Sequence, residues 1–232
     1  KFYLLSHWVE DRTIYSYSRA ENYAEKNTGI VISRNDMTGQ IWSGAFREND
    51  NNHLYLMDSK CNFCEVDLDK MSYRMIDLEG DKPSDFRDRA QMIYSKYHHC
   101  FFASFYQMSG IYKIYENNDG TWKIEKYAGF NGNGYATGNR LKDAQFIEPY
   151  GMTVTSDGDI YVINRAGSFI SRISGDQVDV VAGKPGTSGE TNSDAEPLDA
   201  RFNSPQDIAA DSEDNFYIAG GWDRTVRKLS IE

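Results

Sequence analysis

The chain is poor in the residues that would make it easy to classify. Three cysteines, Cys61, Cys64 and Cys100, are spread through 232 residues. They are too few for a disulfide scaffold and odd in number, so the redox compartment stays open. Four histidines, His7, His53, His98 and His99, leave little for a histidine-rich catalytic centre, and neither a Ser-His-Asp arrangement nor a His-Glu-x-x-His motif occurs. No run of 18 apolar residues exists, so nothing reads as a membrane-spanning helix. Basic residues number 25 against 35 acids, a net charge of −10. The basic ones are scattered, which excludes the clustered Lys and Arg by which nucleic acid is held. Stretches of 3.6-residue periodicity are missing as well, which sets aside helix bundles and solenoids of helix pairs. The chain opens on Lys1 rather than Met, and a processed or trimmed chain is expected.

What is present is a repeat. Phe146 and Phe202 correspond, as do Pro149 and Pro205, Ile160 and Phe216, Tyr161 and Tyr217, and Arg172 and Lys228, each pair 56 positions apart. A fixed period of this size marks one small unit that cannot bury its apolar faces alone. Within a unit the pattern is of short β-rich runs bounded by Asp, Asn and Gly. In the best-defined unit the predicted strands cover 150–156, 159–165, 168–174 and 177–183, with Asp157-Gly158 as a hairpin turn between the first two. The same grammar extends backward: Phe102 and Lys113 take the places of Tyr161 and Arg172, and Tyr55 fills the same role earlier still. Aromatic content of 14%, with 16 Tyr, suits strands and also suits surfaces that stack on flat ligands. The expectation is an all-β propeller of four-stranded antiparallel blades, with segments at about 1–38, 39–80, 81–127, 128–183 and 184–232 forming a single domain. The first unit lacks its innermost strand and the last its outermost, giving about 18 strands; five units then form part of a six-bladed ring.

Residues 127–232 carry a family pattern: Ala182-Gly183, a Gly-rich loop, Ala200-Arg201-Phe202, Pro205, the turn Asp211 to Asn215, Phe216-Tyr217-Ile218-Ala219, and Val226-Arg227-Lys228-Leu229. This resembles the NHL-repeat β-propellers, and the long loops with Ala-Gly starts resemble those of Bacteroides-type cell-surface NHL lipoproteins. The resemblance implies a secreted protein at the cell surface or in the periplasm, often tied to polysaccharide uptake, with membrane contact only through a lipid anchor outside this chain. It also implies an alternative, since some related six-bladed propellers are metal-dependent hydrolases or lyases.

Several motifs have a plain structural explanation. Cys61-x-x-Cys64 with His98-His99-Cys100 has zinc-like spacing, but the blade register puts Cys61 and the two histidines on opposite faces. Asp157-Gly158-Asp159 and Asp211 to Asp214 fall at hairpin turns, where turn chemistry accounts for them as well as calcium does. The segment 129–138, GFNGNGYATG, looks like a phosphate loop but precedes no helix. No metal, cofactor or catalytic residue is therefore assigned. Aligning the units brings Trp8, Phe105 with Tyr106, Asn164 with Arg165, and Gly221 with Trp222 to one face, joined by Tyr150, Gln206 and Asp207. Trp8, Tyr106, Tyr150, Arg165, Gln206, Asp207 and Trp222 are the expected ligand-binding residues, by stacking and hydrogen bonding to a glycan or a protein partner.

Overall fold

Alternation with a period of two sends neighbouring residues of a strand to opposite faces of a sheet, and this chain needs both faces. In a computed structural model that describes residues 2–5, 12–17, 20, 22–83, 89–189, 196–222 and 224–230, the strands form five sheets. The first holds β1 (Phe2–Leu5), β2 (Arg12–Tyr17) and β3 (Glu25–Ile32). The second holds β4 (Ile41–Phe46), β5 (His53–Asp58), β6 (Phe63–Asp67) and β7 (Ser72–Ile76). The third holds β8 (Leu78–Gly80), β9 (Ala90–Ser95), β10 (Cys100–Phe105), β11 (Gly110–Glu116) and β12 (Trp122–Gly129), in the order β8-β12-β11-β10-β9. The fourth holds β13 (Gly138–Asn139), β14 (Pro149–Val154), β15 (Ile160–Asn164), β16 (Phe169–Ser174) and β17 (Gln177–Ala182), in the order β13-β17-β16-β15-β14. The fifth holds β18 (Asp207–Ala210), β19 (Phe216–Ala219) and β20 (Val226–Leu229).

These are the blades of a β-propeller. The innermost strands β4, β9, β14 and β18 lie side by side around the axis, and an apolar core fills each gap between consecutive blades. In blades two, three and four, two adjacent residues of the second strand serve two different cores. Phe101 packs back toward the second blade and Phe102 forward toward the fourth; Ile160 packs back and Tyr161 forward. Ring centroids meet across the gaps at 5.0 Å for Tyr55–Phe101 and 4.2 Å for Tyr161–Phe216. Burying a large apolar side chain is worth about 1.5–3 kcal/mol, so these doublets, repeated blade after blade, hold the array together. The repeat-mates also pair across strands: Phe102 faces Lys113, Tyr161 faces Arg172 and Tyr217 faces Lys228. Near the axis, hydroxyls stitch the blades: the Ser43 hydroxyl donates to the Met92 carbonyl and accepts from its amide at 3.1 and 2.9 Å, and Thr153 accepts from the Ala210 amide at 3.1 Å.

The Ala-Gly start and the Ala-x-Phe motif explain one another. Gly129 and Gly183 have φ of +87° and +81°, and a Cβ on either would strike the ring of Phe146 or Phe202 at 2.7 or 2.9 Å. Only glycine lets the outermost strand turn away beneath that buried ring. Blades three and four depart from the expected four strands. The connector into each blade adds a short strand along its outer edge, β8 in parallel to β12 and β13 antiparallel to β17. Residues 78–80, placed with the second segment by the repeat, thus hydrogen-bond to the third blade. Among the described residues no helix is long and apolar enough to cross a membrane.

Candidate functional site

Antiparallel order gives the array two different faces. The upper face carries the connections between second and third strands and the lead-ins to the inner strands; the lower face carries the hairpins between first and second strands. On the upper face Tyr106 follows β10, Arg165 follows β15 and Trp222 follows β19, while Tyr150 and Asp207 sit at the starts of β14 and β18. Trp8 lies outside the described residues.

Tyr106, Tyr150 and Arg165 are brought into contact. The Arg165 guanidinium lies 5.5 Å from the Tyr106 ring centre, and its Nη1 donates to the Tyr106 hydroxyl at 2.9 Å and faces Glu148 at 3.4 Å. Tyr106 meets Tyr150 edge to face at 6.3 Å. Tyr150 is buried, and its carbonyl accepts the Ser104 hydroxyl at 2.6 Å. Two further residues extend this row. Arg89 reaches the Tyr150 hydroxyl at 3.5 Å, a long contact, and its guanidinium lies 5.0 Å from the centre of the Trp42 ring. The result is a row of rings and cations, Trp42, Arg89, Tyr150, Tyr106 and Arg165, across the second, third and fourth blades. Such contacts are worth about 0.5–2 kcal/mol each and hold flat faces in fixed orientations.

Gln206, Asp207 and Trp222 lie beside this row on the fifth blade. The Gln206 side chain donates to the Ser204 carbonyl at 2.9 Å. Gly221 is so close to Ser204 and Gln206 that it has no room for a Cβ, and the neighbouring Trp222 amide donates to Asn203 at 3.2 Å. Trp222 is 73% exposed. Asp207 is exposed as a residue, yet its carboxylate rests on the bare backbone of Gly151, next to Tyr150. Desolvation there outweighs the hydrogen bond from the Ile208 amide at 2.9 Å and raises its pKa. Phe105 and Asn164, expected on this surface, point inward instead. Phe105 is packed edge-on to Tyr112 at 5.4 Å, and Asn164 is fully buried, accepting from the Ile147 amide and donating to the Ser171 hydroxyl, both at 2.9 Å.

Trp42, Arg89 and Glu148 were not among the expected residues, although one signal for Trp42 existed. Trp42 and Tyr150 are both second residues of inner strands, and both sit where the strand register slips, between Ile41 and Ser43 and between Pro149 and Met152. The slip leaves each side chain outside the ordinary alternation.

The cysteine and histidine motifs fall apart in space. Cys61 lies in the core between blades two and three, Cys64 in that between one and two, and Cys100 in that between three and four. Burial pushes each thiol up to about 12. His98 sits in the lower hairpin of blade three, bonded to the Ser95 hydroxyl at 2.9 Å, and burial lowers its pKa. Among the described residues no three His, Cys, Asp or Glu side chains gather as metal ligands. At the acidic turns the carboxylates are used locally. Asp157 accepts the Thr155 hydroxyl at 2.5 Å, and Asp211 accepts the amides of Glu213 and Asn215 at 2.9 and 3.0 Å.

No family model matches the chain, and no curated protein matches it. Solved structures do. A protein of unknown function from Bacteroides thetaiotaomicron superposes with a TM-score of 0.83 at 28% identity, over 97% of this chain and 55% of that one. An auxiliary nutrient binding protein from the same organism superposes with a TM-score of 0.77 at 17% identity, over 98% of this chain and 58% of that one. A virginiamycin B lyase from Staphylococcus aureus superposes with a TM-score of 0.59 at 10% identity, over 99% of this chain and 66% of that one. The chain therefore spans little more than half the length of the two Bacteroides proteins.

Proposed function

We propose that this chain is a non-catalytic binding propeller that holds a glycan across its upper mouth. What carries the reading is the row of rings and guanidiniums from Trp42 to Arg165, continued by the open face of Trp222. Rings fixed by neighbouring cations lose little rotamer entropy on binding. Trp222 offers an open apolar face to a sugar ring and the row frames it, while Gln206, Asp207 and Glu148 supply polar groups for its hydroxyls. The auxiliary nutrient binding proteins of similar fold, at 15–17% identity, support a binding role by analogy, and the resemblance to NHL-repeat cell-surface proteins of Bacteroides supports the glycan. We place the protein outside the cytoplasm, at the cell surface or in the periplasm. The likeness to lyases is one of fold alone, at 10–13% identity.

A glycan array followed by calorimetry tests this. The expected result is a sugar ligand whose affinity falls at least about tenfold, 1.4 kcal/mol, in Trp222→Ala and in Arg165→Ala. A sugar that binds both variants as well as the parent overturns the assignment to the upper mouth. An array with no hit moves recognition to a protein partner on the same face, and a stoichiometric metal ion in protein purified without chelator favours the hydrolase or lyase reading instead.

A further inference from the structure

The four inner strands end on the lower face, and there they enclose a cleft of about 500 Å³. Its floor is apolar and comes from the strand ends themselves: Phe46 from β4, Tyr94 from β9, Val154 from β14 and Ala210 from β18. The hairpins that follow supply a polar rim, and its charges are sorted by blade. Arg47 and Lys96 stand on blades two and three; Asp211 and Asp214 stand on blade five; Thr155 and Ser156 of blade four lie between them. One acid, Glu48, shares the basic side, and Glu116 behind it pairs with Arg47, so the charge this side turns to the cleft is chiefly that of Lys96.

Most of these groups are held in place. The Arg47 guanidinium lies over Tyr55 and Trp122, 4.9 and 4.7 Å from the ring centres, and pairs with Glu116 at 2.8 Å. Asp214 accepts the Ser156 amide and hydroxyl at 3.1 and 2.6 Å, which locks the hairpin of blade five to that of blade four. Lys96 is exposed and makes no ion pair among the described residues. Opposite charges are thus kept on opposite sides of an apolar floor rather than paired across it. Walls of low dielectric focus such a field.

We propose that this lower cleft binds a short zwitterionic peptide, its carboxylate toward Arg47 and Lys96 and its ammonium toward Asp211 and Asp214. A neutral sugar gives Lys96 no counter-charge and offers Asp211 and Asp214 no cation beyond the hydrogen bonds they already accept from their own and the neighbouring hairpin. A simple anion meets the two aspartates, and a simple cation meets Arg47 and Lys96, so each is penalised on one side. The volume falls within the usual range for small-ligand sites, about 300–1,000 Å³, and suits a di- or tripeptide lying on Phe46 and Tyr94. The proposal is independent of the upper mouth.

The test is saturation-transfer NMR on the whole chain with a pool of tripeptides bearing free ends, beside the same pool acetylated, amidated or capped at both ends. Members of the free pool are expected to bind, and each cap is expected to weaken binding about tenfold. Lys96→Met should weaken peptides with a free carboxylate about five- to tenfold and leave amidated ones unchanged. Trp222→Ala, on the other face, should leave all of them unchanged. The proposal is overturned if no free peptide binds, if doubly capped peptides bind equally well, if Lys96→Met affects amidated peptides to the same degree, or if Trp222→Ala abolishes binding.

Discussion

At the upper mouth, rings and guanidiniums lie against one another across three blades; at the lower mouth Arg47 also rests on rings, but the basic and acidic groups of the rim stand on opposite sides of an apolar floor. Strand β18 runs between the two and ends in an aspartate at each, Asp207 above and Asp211 just past its lower end. Their surroundings push them in opposite directions. Above, the Asp207 carboxylate is pressed on the Gly151 backbone and desolvation raises its pKa. Below, the Asp211 carboxylate is wrapped by its own turn, and backbone hydrogen bonding, first from the Asn215 amide, lowers its pKa. The same residue type, four positions apart on one strand, is costly to ionise at one end and easy to ionise at the other. The lesson is that the upper mouth is built into the packing of the blades, whereas the lower rim, Arg47 apart, is laid on top of that packing.

The largest test of this contrast removes a ring from the upper row. Tyr150 is buried and touches Tyr106, Arg89 and, through its carbonyl, Ser104. Tyr150→Ala is expected to cost about 3–5 kcal/mol of unfolding free energy, the usual range for deleting a buried ring. Lys96→Met at the lower rim is expected to change it by no more than about 0.5 kcal/mol, as at exposed positions generally. Urea unfolding measures both. Equal losses would show that the two mouths are equally embedded and would end the comparison.

A smaller effect has an opposite sign at the two ends of β18. The folded pKa of Asp207 is raised. Its contribution is therefore fully favourable below the unfolded value near 3.9 and is lost as pH rises through the folded pKa. Asp207→Asn should be more stable than the parent at neutral pH, with the gain vanishing in acid. The folded pKa of Asp211 is lowered. Its contribution is present above about 3.9 and is lost as pH falls through the folded value. Asp211→Asn should be less stable at neutral pH, with the deficit closing in acid. Thermal unfolding of the three proteins between pH 3 and 7 reads both slopes, and parallel slopes would contradict the contrast.

How far these features were legible in the sequence depends on whether side chains or backbone make them. The strands of blade four followed from alternation and the Asp157-Gly158 turn, and their observed ends lie within two residues of expectation. The edge strands β8 and β13 had no signal, because two or three residues pair there through backbone groups alone. Repeat-mates did not reveal burial either. Tyr161 and Tyr217 are equivalent, yet Tyr161 packs on Phe216 and is 5% exposed, while Tyr217 is 40% exposed with its hydroxyl on Asp211 at 3.2 Å. At the upper mouth, Tyr106, Tyr150 and Arg165 could be aligned because they stand at repeat positions; Trp42 escaped because its blade matches the repeat only weakly. The lower cleft was hidden for a different reason. Its rim comes from four hairpins far apart in the chain, each of which reads as ordinary turn chemistry.

The smallest expected effect concerns Trp222. The upper row is embedded from blade two to blade four, but at blade five the side chain is 73% exposed and the loop is fastened by backbone, through the Trp222 amide to Asn203 and the close approach of Gly221 to Ser204. Trp222→Ala keeps both fastenings. Its unfolding free energy should stay within about 0.5 kcal/mol of the parent, and the native fluorescence should shift to the blue, because an exposed indole is removed while Trp122, 3% exposed, is kept. A loss above about 1 kcal/mol would mean that the ring is packed, and that the upper mouth is as embedded at blade five as at blade four. An unchanged melt together with lost sugar affinity would instead separate the two jobs of this face, with Tyr150 holding the blades together and Trp222 meeting the ligand.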